Sequence, residues 1–336
     1  VRRLGIGVVG LGRMGGMHAR YIARGVPEAR LVAVADVDTD RARTLAGELD
    51  LPGAYASTAE LAADPAVEAV LIATPSVHHP ADVIAAAAAG RHVLCEKPLA
   101  LTVEAGAPAL DAARAAQVQL QVGLMRRHDA DYRRARERLR TGDCGRPVMF
   151  RSLQFDPEPP PASFCDPAVS GGIFVDMGIH EFDLARWLVG DEVVEVHAFG
   201  STVGDPSLAA VGDYDSAVAV LRFAGGATGA VELARTARYG EDVRTEVLGT
   251  EGAVFIGRLP VTHGSFGNAG SLAYDTVDPA VLRFADAYAQ QVRVFARSVL
   301  DGRPVEPSGE DGQAALGIAL AARRSAAEGR PVPVLG

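Results

Sequence analysis

Over the first third of the chain, short apolar runs alternate with stretches of helical periodicity. Residues 4–9, 31–35, 67–73, 93–95 and 119–123 read as strands, and residues 14–24, 40–49, 80–89 and 102–116 as the helices between them. Strands that are apolar on both faces and separated by helices predict βαβ units and a parallel sheet covered on both sides. Beyond about residue 125 the rhythm changes. A charged helix at 129–140 precedes a strand at 147–155, a proline-rich loop at 156–161 and a helix at 175–188. Strands at 193–199, 216–223, 227–233, 243–248 and 253–256 are separated by turn residues, as in a mostly antiparallel sheet, and helices at 279–300 and 309–328 close the pattern. The prediction is an α/β domain with a doubly wound parallel sheet over residues 1–123, followed by an α+β domain with a mostly antiparallel open sheet over residues 124–336. The last helices are expected to be able to pack back on the first domain.

A length of 336 residues suits two domains. Apolar residues make up 48% and charged residues 22%, which excludes a disordered, collagenous or coiled-coil chain. The net charge of −9 argues against a broad nucleic-acid surface. The arginine-rich stretch 126–140 does not change this. Asp129, Asp131 and Glu137 interrupt it and it holds one tyrosine, so it reads as a solvated or oligomer-facing helix. Cys95, Cys144 and Cys165 are far apart and form no CxxC pair, so no disulfide framework is expected and the cytoplasm is the natural compartment. Neither the short N-terminal apolar run nor the alanines at 85–89 reaches the ~20 residues of a membrane span, so no membrane partner is expected. Arginine is abundant and lysine nearly absent, which reads as coding bias without bearing on mechanism.

Gly10-Leu11-Gly12-Arg13-Met14-Gly15 is a GxGxxG between the first strand and the first helix. Its glycines allow a tight turn, close approach of the backbone to a pyrophosphate, and close helix–strand packing, while the helix N-terminus offers free N–H groups to phosphate oxygens. Asp36 ends the second strand, 21 residues after Gly15, where a carboxylate accepts hydrogen bonds from ribose hydroxyls and repels a 2′-phosphate. Its bland alternative is a helix-capping role. These signals together read as a Rossmann dinucleotide site that prefers NAD over NADP.

Two further groups carry possible chemistry. Glu96-Lys97-Pro98 follows the short strand 93–95, at the carboxyl edge where ligands bind in such sheets. Lys97 there could hydrogen-bond a substrate hydroxyl or share in proton transfer; taken alone, it reads as a surface lysine. In the segment from Gly171 to Asp183, Asp176 and His180 are four apart. On one helix they would share a face, and the carboxylate would fix the imidazole tautomer and raise its proton affinity, giving a general base. A surface ion pair or a capping aspartate is the alternative. Asp176, His180 and Glu181 could also ligate a metal, but no HExxH or third histidine supports one, and none is expected.

The chain resembles the glucose–fructose oxidoreductase/inositol dehydrogenase (Gfo/Idh/MocA) family over nearly its full length, and within it the NAD-dependent inositol 2-dehydrogenases. The resemblance rests on the glycine turn with Arg13-Met14, on Asp36, on Thr74-Pro75-Ser76-Val77-His78-His79 and on Glu96-Lys97-Pro98. It extends to Gly123-Leu124-Met125-Arg126-Arg127, the proline loop from Asp156, and Ser170-Gly171-Gly172 through Asp176, His180, Asp183, Arg186 and Trp187. It implies that Lys97, Asp176 and His180 form a catalytic triad. His180, oriented by Asp176, would take the proton of a ring hydroxyl while the hydride passes to C4 of NAD⁺, and Lys97 would hold the reacting oxygen. It further implies that Gly10, Gly12, Arg13, Met14, Gly15, Asp36, Thr74, Pro75, His79, Glu96 and Lys97 bind NAD, with His79 near the nicotinamide ribose. Arg126 and Tyr239 would join the triad in contacting the substrate, a cyclic polyol such as myo- or scyllo-inositol. A homodimer or homotetramer is implied as well.

His128, Glu181 and Met177-Gly178 depart from the pattern common among inositol dehydrogenases. They remove no catalytic group but leave related aminocyclitols and pyranosides open, since one moved hydrogen bond to a hydroxyl can change preference by orders of magnitude. An NAD-dependent glycoside hydrolase of the same fold would keep similar groups without net NADH release. A non-catalytic dinucleotide-binding regulator would be expected to lack the lysine or the histidine.

Overall fold

The chain is described by a computed structural model that covers residues 2–257, 266–268, 271–273 and 283–334. It separates into two compact units, one of residues 1–128 with 286–314 and one of residues 129–285 with 315–336. The second unit is therefore not the single stretch 124–336 that a cut after residue 123 describes.

The first unit begins with strand β1 (Leu4–Val9), helix α1 (Arg13–Gly25), β2 (Ala29–Ala35) and α2 (Thr39–Glu48). These are followed by β3 (Gly53–Tyr55), α3 (Thr58–Ala63), β4 (Ala69–Ile72) and α4 (His79–Ala88). Strand β5 (His92–Cys95), α5 (Val103–Ala115) and β6 (Leu120–Val122) complete the alternation, and a 3-10 turn, Met125–His128, follows. The six strands form one parallel sheet in the order β3-β2-β1-β4-β5-β6. All six residues of β1 and all four of β4 are buried, as central strands covered on both faces must be. Edge strand β3 and the six-residue α3 carry no apolar run of their own, and the hydrophobic pattern does not reveal them.

In the second unit, helix α6 (Ala130–Arg140) leads into strand β7 (Pro147–Phe155). Three short helices come next: α7 (Ala162–Cys165), α8 (Pro167–Ser170) and α9 (Gly172–Asp176). Helix α10 (Ile179–Val189) precedes β8 (Val193–Ser201), a 3-10 turn at Pro206–Val211, β9 (Ser216–Phe223) and β10 (Thr228–Ala234). Then come β11 (Asp242–Gly249), β12 (Ala253–Ile256), and the two-stranded ladder of β13 (Phe266–Asn268) with β14 (Ser271–Ala273). Helices α11 (Ala285–Leu300) and α12 (Gly309–Glu328) and the short β15 (Val332–Pro333) end the element order. The expected start of the penultimate helix, residues 279–282, lies outside the described residues. Seven strands make the second sheet, ordered β12-β11-β7-β10-β9-β8-β15, with only the β7–β10 pair parallel.

The return of residues 286–314 to the first unit has a hydrophobic cause. Val292, Phe295 and Ala296, spaced i, i+3 and i+4 on α11, join Leu4, Ile6, Val8 and Leu71 of the parallel sheet in one core cluster, and Val305 follows. Polar contacts add to this. Arg293 lies 3.3 Å from Glu28, Arg297 also pairs with Glu28, and the Val122 N–H donates to the Pro307 carbonyl at 3.2 Å.

Within the second sheet, strand register places Met149, Val218, Val220, Phe199, Leu248 and Phe255 on one face, all exposed. The other face carries buried Phe150, Val231, Leu233, Val247, Ala219 and Leu221. Among the described residues the sheet is thus covered on one side, as the alternating patterns of β9 and β10 require.

Candidate active site

In the first unit the glycine turn is built as the spacing predicts. Gly10 has φ +80°, and a Cβ there would stand 2.5 Å from the Thr74 nitrogen. A Cβ on Gly15 would meet the Gly10 carbonyl oxygen at 1.8 Å, so only glycine lets α1 pack this closely on β1. Around Gly12, in contrast, the space a Cβ would enter is open, and Gly12 caps α1 without any side-chain hydrogen bond. The first-turn N–H groups of α1 therefore face a side from which phosphate oxygens could accept. A cavity of about 320 Å³ lies beside this turn, lined by Gly12, Arg13, Gly16, Arg41 and Thr44 among others. Arg13 is exposed and Met14 half-buried.

Asp36 lies just past the end of β2 and is buried. One carboxylate oxygen accepts the Leu11 N–H of the glycine turn at 2.7 Å, and the other accepts the Asp38 N–H at 2.9 Å. Asp38, not Asp36, caps α2, by accepting the Arg41 N–H. Asp36 is thus no capping residue. Arg41 lies 3.3 Å from Asp36 and 3.2 Å from Asp38, so its charge is already matched by carboxylates and not displayed alone for a 2′-phosphate. An open glycine side, an uncapped helix start and a buried carboxylate at the end of β2 fit a dinucleotide without the extra phosphate.

At the carboxyl end of β5, Glu96 is buried and pairs with His18 of α1 at 2.7 Å, while its second oxygen accepts the Lys97 N–H at 3.2 Å. Burial alone would raise the Glu96 pKa. The hydrogen bond and charge of His18, with the Lys97 charge, outweigh burial and hold the carboxyl below its ordinary value. Glu96 also fills the space next to Gly123, where a Cβ would come within 2.9 Å of its carboxylate. His18, fully buried three positions after Gly15, has no candidate role in the sequence reading; the structure ties it to the backbone of Lys97 through one carboxylate.

Lys97 is half-buried, and its peptide bond to Pro98 is cis. It is also the only lysine in the chain, among 33 basic residues.

His79 is buried, with Nδ1 2.7 Å from the Pro98 carbonyl and Nε2 2.7 Å from the Thr74 carbonyl. Burial lowers its pKa against the raising effect of these carbonyls and of Glu96 and Asp82. A neutral ring has one N–H and can donate to one carbonyl at a time. Both nitrogens are engaged within the protein, so His79 holds the Thr74 loop beside Lys97-Pro98. Thr74 in turn donates to Asp82 at 2.7 Å, and Pro75 is exposed. Arg126 is buried in the 3-10 turn that ends this part of the unit, beside Arg127, which pairs with Asp311 at 3.1 Å.

In the second unit the continuous helix expected over 175–188 is interrupted. Asp176 ends α9, and His180 sits in the first turn of α10. The Gly178 N–H donates to the Ile173 carbonyl at 3.0 Å, an i to i−5 bond that widens the turn between them. A Cβ on Gly178 would stand 2.6 Å from the Phe174 carbonyl oxygen, so close packing imposes glycine here. Met177 and Gly178, between the two helices, both keep right-handed helical backbone angles, so the chain runs from Asp176 to His180 without a reversal. Arg235 pairs with Asp176 at 3.1 Å and with Asp213 at 3.4 Å, and neither Arg235 nor Asp213 was a sequence candidate. His180 is buried, only 6% exposed. Tyr239 is half exposed and donates to Asp242 at 3.0 Å; burial and this carboxylate raise its pKa. Among the described residues, no group of three or more His, Cys, Asp or Glu side chains is arranged to hold a metal ion, and no helix is long and apolar enough to cross a membrane.

Fold and glycine site together define an NAD-binding oxidoreductase of the Rossmann type. Residues 4–124 match the family model described as oxidoreductase family, NAD-binding Rossmann fold, and residues 132–255 match the GFO/IDH/MocA C-terminal domain. The chain belongs to the Gfo/Idh/MocA oxidoreductase family. It is 40% identical to a myo-inositol 2-dehydrogenase of Thermotoga maritima, covering 97% of each chain. It is 37% identical to the scyllo-inositol 2-dehydrogenase (NAD(+)) of Bacillus subtilis, covering 97% of this chain and 94% of that one. Among solved structures, a scyllo-inositol dehydrogenase from Lactobacillus casei with bound NAD(H) and scyllo-inositol superposes with a TM-score of 0.93, at 30% identity and 99% coverage of both chains.

Proposed function

We propose that this enzyme oxidises one ring hydroxyl of a cyclic polyol, myo- or scyllo-inositol, to the ketone with NAD⁺ as acceptor. The observation that carries the reading is Lys97, the single lysine of the chain, at the carboxyl end of β5 in a chain similar over its whole length to inositol dehydrogenases. NAD⁺ supplies the hydride acceptor. Gly10, Gly12 and Gly15, with Arg13 and Met14, form its phosphate turn, and Asp36 takes the ribose hydroxyls. Thr74, Pro75 and Glu96 shape the nicotinamide side, and His79 acts there by bracing the loop. Lys97 hydrogen-bonds the reacting oxygen and stabilises its developing negative charge. His180 takes the hydroxyl proton, Asp176 supports the imidazole, and Arg126 and Tyr239 contact the other hydroxyls.

The test is NADH formation across inositols, aminocyclitols and hexoses with NAD⁺ or NADP⁺. The expected result is turnover of an inositol with kcat/KM at least about tenfold higher for NAD⁺, the order one desolvated or repelled charge supplies. No net NADH with any inositol, combined with release of a sugar from a glycoside, would replace this reading by the hydrolase.

The enzyme is further proposed to work in the cytoplasm as a homodimer or homotetramer. The support for the oligomer is the exposed apolar face of the second sheet, with Met149 on β7, Val218 and Val220 on β9 and Leu248 on β11, beside the Arg151–Glu232 and Arg222–Glu195 pairs. Light scattering is expected to give a mass of two or four chains. A mass of one chain at working concentration removes the proposal.

A further inference from the structure

Among the described residues, Arg235 is the largest side chain that is almost completely buried, at 1% exposure. It follows β10, in which Val231 and Leu233 point into the covered face of the sheet. Period two puts position 235 on that same face, where an apolar residue is the ordinary choice. A guanidinium there is costly unless carboxylates meet it. Two do. Arg235 Nη1 lies 3.1 Å from Asp176 and Nη2 3.4 Å from Asp213. Asp213 accepts in addition the Ile173 N–H at 2.8 Å.

This arrangement grips α9 at both ends. Its first turn is held through Ile173 by Asp213, and its last residue, Asp176, is held by Arg235 directly. The Arg235 backbone N–H is itself fixed, donating to the Asp215 carbonyl at 2.7 Å. The three side chains sum to one negative charge, and the half-buried Arg323 brings a further positive charge toward one of the two carboxylates, Asp213. Asp213 is the one whose pKa is raised. Burial is the first cause and the Asp176 charge adds to it, against the Ile173 N–H and Arg235. Asp176 is the more exposed, its side chain 19% accessible against 3% for Asp213.

We infer that Arg235 is a positioning residue, which orients Asp176 for its work on the catalytic histidine. The inference rests on the proposed role of Asp176. Arginine suits the task because its planar fork bridges two carboxylates at once and holds direction, which a lysine point charge does not. The sequence contains no other lysine-for-arginine choice to compare, so the substitution itself is the informative probe.

The experiment is a double-mutant cycle on kcat for inositol oxidation, with Arg235→Lys, Asp176→Asn and the double variant, and NADH affinity by fluorescence titration as control. Arg235→Lys is expected to lower kcat by about 10- to 100-fold with NADH affinity unchanged, as loss of an oriented charge-assisted contact does. In the Asp176→Asn background the same change is expected to cost less than about threefold, because a group that acts through another has nothing left to do once the other is gone. A second variant, Arg235→Met with Asp213→Asn, removes one positive and one negative charge together and so leaves the net charge of the group unchanged. It too is expected to lower kcat at least about tenfold only while Asp176 is present. Equal losses in both Asp176 backgrounds, or none in either, overturn the inference. If Asp176→Asn alone leaves kcat unchanged, the reading of Asp176 fails first, and the two failures are told apart.

Discussion

Lys97→Arg is expected to lower kcat for inositol oxidation by about 10³-fold, within the range lost when a positioned proton-transfer or oxyanion-stabilising group is removed. The charge is conserved and the side chain is of similar length, so a purely electrostatic or surface role would survive the exchange. A reacting hydroxyl needs a compact donor that can also give up its proton. An ammonium can do both; a guanidinium donates hydrogen bonds in a broad planar fork but stays protonated throughout the working range. Every other cationic side chain here except histidine is arginine. NADH binding, measured by fluorescence, is expected to persist. Initial rates at saturating polyol and NAD⁺ check the prediction, and a Lys97→Arg enzyme retaining more than about a tenth of wild-type kcat would remove Lys97 from the chemistry.

The same residue shows what the sequence makes legible. The parallel sheet is read directly because its central strands are apolar on both faces, and β1 and β4 are buried along their whole length. Edge strand β3, at Gly53–Tyr55, has no such run and is visible only from its pairing with β2. The dinucleotide site is legible because each requirement falls on a separate residue type at a fixed offset: glycine where a Cβ would collide, carboxylate at the end of the second strand. The continuous helix expected over 175–188 is interrupted at Gly178, where tight packing against Phe174 and Phe182 imposes a wider turn that local sequence does not announce. Two supporting residues were legible in principle. Arg235 continues the inward alternation of Val231 and Leu233, and His18 lies among the buried positions of α1 with Gly15, Ala19 and Ile22. In both, a polar residue at a buried register position signals a partner distant in sequence, but which partner is set by tertiary structure: Asp176 lies 59 positions from Arg235, and Glu96 lies 78 from His18.

His180→Gln is expected to lower kcat by about 10³-fold as well, since glutamine keeps a polar side chain in the first turn of α10 but offers no base near neutral pH. A role confined to packing would instead show as a lower melting temperature with kcat retained, because His180 is buried and its replacement disturbs its neighbours in either case. The decisive comparison is the double variant. If His180 takes the proton of the hydroxyl whose oxygen Lys97 holds, the two act as a unit, and removing the second group after the first costs little more. Lys97→Arg with His180→Gln is therefore expected to fall within about tenfold of the slower single variant, rather than at the product of the two losses. Multiplicative losses, measured as NADH formed per enzyme at saturating substrates, would show that the amine and the imidazole serve separate steps, and would assign His180 to something other than the proton of the oxidised hydroxyl.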